Sequence, residues 1–345
     1  IASRNIPVLG ETPGAHLITE GGEGRGVVAR RGGKDIRIKA SRAVILTCGG
    51  FEFNEWMKQN YLRAYPVHFT GNPANTGDGI TMAMEIGTKL WHMNCASWRV
   101  VLKFPECPSA FSTQRHETSS IFVDKRGNRF SSERYKVHSF GYELTNYDCY
   151  AMTYPKIPAF WVFDENRRKL CPLGSYSGAS NPPGGVPGDC FYVWDEDNTK
   201  EIDRGWIMKS DTIEGLAKQI MADPDDKGLL RRGALEATVK RYNEFCHNGE
   251  DQDFHKHTDW LQPLENPPYY AVKLWPGGPN TQGGPKRNAR AQVMRVDETP
   301  IPRLYSAGEL GSVWSMLYQG AGNLGECIAF GRIAGANAAA EKRWK

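Results

Sequence analysis

The spacing of apolar positions changes several times along the chain, and each change marks an element. Short extended runs from Pro7 to Ala15 and from Gly26 to Ile38 flank the turn Glu20-Gly-Gly-Glu-Gly-Arg25, which predicts a β-hairpin or meander. The continuous apolar run Ala43-Val-Ile-Leu-Thr-Cys-Gly-Gly50 predicts a fully buried strand that stops on two glycines, where something must approach the backbone. Helical spacing follows. Ile80, Met84 and Leu90 fit one side of a short helix capped by Asp78 in the Gly77-Asp-Gly79 turn. Thr212 to Met221 has apolar residues at 213, 216, 217 and 220. Leu235, Val239, Tyr242 and Cys246 then repeat at spacings of 4, 3 and 4 until Asn248-Gly249 closes the helix. Near the C-terminus come an apolar strand, Leu304-Tyr-Ser-Ala-Gly308, the acid Glu309, the glycine-rich turn Tyr318 to Gly325, and a helix of small residues running to Ala340.

These elements group into regions of different texture. Residues 1–96 are α/β in character. Residues 97–272 are richer in aromatics and polar loops, include the stretch Asn181-Pro-Pro-Gly-Gly-Val-Pro-Gly188, and read as a separate α+β lobe. Residues 273–345 return to glycine-rich turns and a buried strand, so the chain is expected to leave its first domain, build a second and come back. A length of 345 residues accommodates two such domains.

Composition narrows the partners. Lys and Arg number 43 against 39 Asp and Glu, for a net charge of +4, and no basic run is dense enough for a nucleic-acid groove. No stretch reaches the roughly 18 to 20 continuous apolar residues of a membrane span. The eight cysteines form no C-x-x-C pair, and the histidines show no metal-ligand pattern, which argues against a zinc site and favours reduced thiols and a cytoplasmic setting.

The terminal turn carries the strongest chemistry. Gly320-Ala-Gly-Asn-Leu-Gly325 formally matches G-x-G-x-x-G, but no second strand with a ribose-binding acid follows it, so it is not a Rossmann fingerprint. Glycines still let a ligand touch the backbone. A helix starting near Asn323 would aim free amides and about half a positive charge at that ligand. The bland reading is a tight turn that packs a Gly/Ala-rich helix on a sheet. Glu309 is either an acceptor for ligand hydroxyls or a solvated loop acid. Gly49 and Gly50 are either a ligand seat or a plain strand-ending turn, and Asp78 fits a helix cap better than a ligand contact.

Taken in order, Val44-Ile-Leu-Thr-Cys-Gly-Gly-Phe-Glu-Phe-Asn54, Asn75-Thr-Gly-Asp-Gly79, Gly127-Asn-Arg-Phe-Ser-Ser-Glu133, Thr281-Gln-Gly-Gly284 and the block from Leu304 to Ala340 resemble the fumarate reductase and succinate dehydrogenase flavoprotein superfamily, which includes the 3-ketosteroid dehydrogenases. The resemblance implies an FAD domain of the glutathione reductase type interrupted by a mobile capping domain, with the substrate held between them. It places FAD against Cys48, Gly49, Gly50, Thr76, Gly77, Asp78, Gly308, Glu309, Gly322, Asn323 and Leu324. In that arrangement Glu309 accepts from ribityl hydroxyls, and the Asn323 and Leu324 amides stabilise reduced flavin.

On the substrate side, the fumarate-reducing members carry paired histidines near Thr281-Gln282-Gly283 and an arginine ahead of the terminal turn, because a dicarboxylate needs fixed positive charge. This chain offers Asn280, Thr281 and Gln282 as neutral donors and the apolar, aromatic Val313-Trp-Ser-Met-Leu-Tyr-Gln319. A neutral, ketone-type apolar ligand is therefore expected. Tyr318-Gln-Gly-Ala-Gly322 is similar to the Tyr-x-Gly-Ala-Gly run of 3-ketosteroid dehydrogenases, which implies that the Tyr318 hydroxyl and the Gly322 amide bind the ketone oxygen. Such polarisation acidifies the α C–H and lets the β hydrogen leave as hydride, or the reverse. Tyr318 also has the plain reading of a tyrosine packed beside the ring with its hydroxyl in water. Glu133 and Arg134 read either as a proton-relay remnant or as a solvated edge, with Tyr135 one of several candidate cap bases.

The first βαβ unit, with its true phosphate-binding turn, is absent from these residues. The resemblance therefore implies an incomplete FAD domain completed by residues outside the present sequence or by a second chain. Two alternatives stay open: a reductase of small unsaturated acids, and a non-catalytic half of a split flavoprotein.

Overall fold

The computed structural model describes residues 2–114, 116, 118–134, 138, 140–175, 192–316, 318 and 320–344. Chain contacts divide it into two compact units. The first comprises Ile1–Leu62, Ala74–Ala96 and Asn280–Lys345, and the second Arg63–Pro73 and Ser97–Pro279. The stretch Asn181–Gly188 and Tyr135 lie outside the described residues.

In the first unit the strands Gly14–Glu20, Glu23–Arg31 and Lys34–Lys39 form an antiparallel meander. Its two turns are Gly21-Gly22 and Gly32-Gly33, all at positive φ, as two-residue hairpins demand. The glycine-rich stretch expected to be one long turn is therefore shorter, and the first strand lies later than Pro7 to Ala15. Gly24 belongs to a strand instead: an added Cβ would stand 3.1 Å from the Arg303 carbonyl, so the glycine serves close packing.

The run Ala43 to Gly50 yields only the strand Val44–Leu46, parallel to the end of Pro300–Ser306. Leu46 is buried but Ile45 is 38% exposed, so the strand is not fully buried as expected. The chain leaves it through Gly49 at φ +74. Asp78 is the first residue of the helix Asp78–Glu85 and not its cap. Gly77 occupies the N-cap in the left-handed region, and Asp78 Oδ1 accepts from the Thr76 hydroxyl at 2.9 Å. Leu90 belongs to the strand Leu90–Trp91. The helix Gly322–Ala340 packs Ala334 against Tyr305, Ala307 and Ala291, and Leu324 and Ile328 remain 70% and 68% exposed.

The second unit is organised by the ten-residue strand Tyr269–Gly278, which pairs antiparallel with Ala159–Asp164, Arg99–Leu102 and Met208–Ser210 and parallel with His68–Phe69. Side chains alternate across it. Ala159, Trp161, Phe163, Tyr270 and Val272 face an aromatic core with Phe104, Phe111, Trp194 and Trp206. Phe160, Val162 and Ala271 face the helices Ile213–Ala222 and Ala234–Asn248 through Leu216, Ile220, Leu235 and Val239. Both faces are covered, which explains why Ala-Phe-Trp-Val-Phe carries no polar alternation. Thr212 caps the first of these helices by accepting from the Gly215 amide, and Gly249 ends the second at φ +72, as the sequence pattern predicts.

Candidate functional site: a glycine-lined acidic cradle in the first unit

The parallel pairing of Val44–Leu46 with Leu304–Ser306 brings the carboxyl ends of two strands side by side. Each strand is followed by glycine and then an acid: Gly50-Phe51-Glu52 after the first, Gly308-Glu309 after the second. Ligands of α/β sheets bind outside the carboxyl ends of strands. Here that position holds a buried polar cluster. The Thr281 amide and hydroxyl donate to Glu52 Oε1 at 2.5 and 2.9 Å, and the Phe51 amide donates to the Thr281 hydroxyl at 3.1 Å. A Cβ at Gly50 would overlap the Thr281 hydroxyl, Glu309 Oε1 and Glu52 Oε1 together, so only glycine lets the three converge. Burial, and then the neighbouring Glu52, hold the Glu309 carboxyl well above the usual carboxylate range. The Gly77 amide donates to the Gly50 carbonyl at 3.0 Å, which joins the 75–79 turn to the same cradle. Cys48 is exposed beside it.

The helix Gly322–Ala340 starts with Ala321 in the left-handed region and no side-chain cap, so the amides of its first turn are not taken up by a capping side chain. Its first turn is held in place from behind. Glu326, buried, accepts from the Arg287 guanidinium, from the Ser312 hydroxyl at 2.6 Å and from the Val313 amide at 2.7 Å. Arg287 also donates to the carbonyls of Gly308 and Leu310, each at 2.8 Å. One ion pair thus ties the Glu309 loop to the helix start. Asn323 and Gln282 exchange amide hydrogen bonds at 3.3 and 3.1 Å, and Asn323 also donates to Ser312 at 3.3 Å. Trp314 packs edge-on to Tyr318, with ring centroids 6.2 Å apart, and the same indole lies against Gly322, where an added Cβ would meet its Nε1 at 2.7 Å. Gly283 is equally tight against Met93 and Phe51.

The first unit therefore brings together Gly50, Gly77, Thr281, Glu309 and, through Glu326 and Ser312, Gln282, Asn323 and Gly322. Sequence reasoning missed Glu52, Arg287, Ser312 and Glu326. Glu52 had a usable signal, because it repeats the strand–glycine–acid pattern of Glu309. Arg287, in Lys286-Arg-Asn-Ala-Arg290, had none.

Glu133 and Arg134 belong to the second unit. Arg129 makes bidentate bonds to Glu133, at 2.8 and 2.9 Å, and to Asp251, at 2.9 and 2.8 Å, and Lys256 donates to Glu133 at 3.2 Å and to the Tyr242 hydroxyl at 3.1 Å. Two carboxylates and two cations balance there in a nearly dry site. Arg134 turns away and stacks on Trp260, 3.2 Å from the ring centre. Glu133, Arg134, Lys256 and Trp161 line one small pocket.

A donor-rich helix start facing backbone-lined glycines and an acid suits a ligand that is both anionic and rich in hydroxyls. The sequence profile of the family described as FAD binding domain matches residues 1–324, and the chain belongs to that family. Its cofactor class is therefore FAD, and its relatives are oxidoreductases. The chain is 31% identical to a 3-oxosteroid 1-dehydrogenase of Mycolicibacterium smegmatis, over 97% of this chain and 59% of that protein. Among solved structures it is similar to the 3-ketosteroid Δ1-dehydrogenase from Sterolibacterium denitrificans, with a TM-score of 0.78 and 28% identity over 99% of this chain and 61% of the other. A flavocytochrome c3 fumarate reductase in its open conformation matches with a TM-score of 0.66 and 25% identity, covering 98% of this chain and 53% of that one. The chain thus spans about 59% of the length of the curated relative it matches. Among the described residues, no helix is long and apolar enough to cross a membrane, and no cluster of ligands could hold a metal ion.

Proposed function

We propose that this chain is the larger part of an FAD-dependent oxidoreductase that desaturates or reduces the carbon–carbon bond next to a ketone in an apolar, 3-ketosteroid-like substrate. When bound, FAD supplies hydride exchange with the carbon β to the carbonyl. The residues of the chain supply the rest. Tyr318 and Gly322 pack on one indole, that of Trp314, and this shared support is the observation that carries the reading: it holds a hydroxyl donor and a backbone amide on the same wall. Two donors aimed at one carbonyl oxygen stabilise an enolate and thereby acidify the adjacent C–H.

Thr281 and Gln282 are engaged by Glu52 and Asn323, so among the described residues this wall offers neutral groups rather than a guanidinium clamp for a dicarboxylate. That favours a ketone over a small diacid. Glu309, Gly49, Gly50, the 76–78 turn and the amides of Asn323 and Leu324 are the proposed flavin contacts within an FAD domain of the glutathione reductase type. The second unit is its proposed capping domain. Glu133 is held by Arg129 and Lys256, and this pairing supports a structural role within that unit.

The exposed apolar residues Leu324, Ile328 and Ile45 support a further element of the proposal. The adenosine half of FAD is held by polypeptide outside these 345 residues, on the same chain or a second one. A reducing, cytoplasmic setting suits the seven described cysteines, all free thiols. The test of the function is Tyr318→Phe in the FAD-loaded native protein. Loss of one oxyanion donor lowers kcat on ketone substrates by about 10²- to 10³-fold with the flavin spectrum retained, and an unchanged kcat contradicts the reading.

A further inference from the structure

Within the cradle the mechanism leaves the buried carboxyl of Glu52 unused. It is fully buried, and its Oε1 is already saturated by two bonds from Thr281. Its other oxygen, Oε2, and Oε1 of Glu309 are both buried with no donor facing them. The two carboxyls are neighbours: Glu309 Oε1 and Glu52 Oε1 both crowd the point that a Gly50 Cβ would occupy. The groups acting most strongly on Glu309 from the surrounding elements are Glu52 itself, the Cys327 thiol of the terminal helix and the Gly50 amide, and none of them is a cation. The buried guanidinium of Arg287, which donates to the carbonyls of Gly308 and Leu310, is neutralised by Glu326. Two ionised carboxylates facing each other without a counter-charge would repel strongly in such a site.

We propose that Glu52 is a positioning residue of the flavin cradle, and that its carboxyl and that of Glu309 are held together by one shared proton. This rests on the cradle being the FAD seat, and it adds what that reading does not contain, a built-in dependence of the cradle on pH. With one proton the pair carries a single charge, and Glu309 keeps a fixed orientation toward the ribityl hydroxyls. Thr281, bonded to the same carboxyl, is set in place with it. Loss of the proton leaves two facing anions, and the strand ends separate.

The sign follows from linkage. The folded pair binds a proton that the unfolded chain releases in the ordinary carboxylate range. Its stabilisation is therefore complete at acid pH and is lost as pH rises from that range through the raised value of the pair.

The test compares the native protein with Glu52→Gln, in which Oε1 still accepts from Thr281 and the new amide donates to Glu309 without needing a proton. In the native protein an infrared spectrum shows a protonated-carboxyl C=O stretch at pH values above the ordinary carboxylate range. Its melting temperature falls as pH rises above the ordinary carboxylate range, and the Kd for FAD weakens by up to about tenfold per pH unit, the limit for one linked proton. In Glu52→Gln the stretch is lost and both pH slopes flatten. A stretch that persists in the variant, or equal slopes in the two proteins, overturns the proposal. If the variant does not fold, absence of the stretch from the native protein overturns it alone. If the cradle does not take FAD, the flavin titration is blank while the infrared and melting measurements still report on the pair, so the two failures are distinguishable.

Discussion

Arg287 and Glu326 are both withdrawn from water. Each is stabilised by the other, Arg287 also by donating to two carbonyls and Glu326 also by accepting from a hydroxyl and an amide. Breaking such a pair from one side leaves an uncompensated buried charge, at a cost of about 3–5 kcal/mol. Arg287→Met is therefore expected to lower the denaturant midpoint sharply and to loosen FAD with it. The double variant Arg287→Met with Glu326→Leu recovers most of the stability, because no charge is left stranded. Equal losses in single and double variants would show that the pair does not anchor the loop. Gly50 makes a steric counterpart to this argument. Gly50→Ala pushes a methyl group into the three converging oxygens, so it is expected to abolish FAD retention, measured as the flavin absorbance that survives gel filtration.

At the scale of elements, legibility followed how local the determining physics was. The helix Ala234–Asn248 was readable because its apolar spacing and its closing glycine are both local signals. Gly249→Ala forces a Cβ into a left-handed position, and a loss of about 1 kcal/mol is expected in urea unfolding. Thr212→Ala, which removes the cap of Ile213–Ala222, is expected to cost about the same. The strand Val44–Leu46 was legible in place but not in extent, since its end is set by the partner strand, 260 residues later, and by the turn at Gly49. The cradle shows the same division. Glycine and acid at a strand end could be read from sequence, whereas the convergence of Glu52 on Glu309 and Thr281 depends on parallel pairing that only the tertiary structure supplies. Glu133 and Arg134, adjacent in sequence, go to different partners because the left-handed backbone at Glu133, φ +58, sends the two side chains apart.

At the scale of the molecule, the chain builds two units, and the comparisons assign the whole to the FAD-binding family. Relatives of both kinds, a ketosteroid dehydrogenase and a fumarate reductase, match this chain, so the fold does not choose between them, and the proposed ketone activity rests on the indole-backed wall around Tyr318. The most direct measurement is anaerobic mixing of the FAD-loaded native protein with a saturated 3-ketosteroid while the flavin absorbance is followed. The oxidised flavin band is expected to bleach with native protein, and bleaching to slow by about 10²-fold or more in Tyr318→Phe. No bleaching with any ketone, together with reoxidation of the reduced protein by fumarate, would contradict the proposed ketone activity.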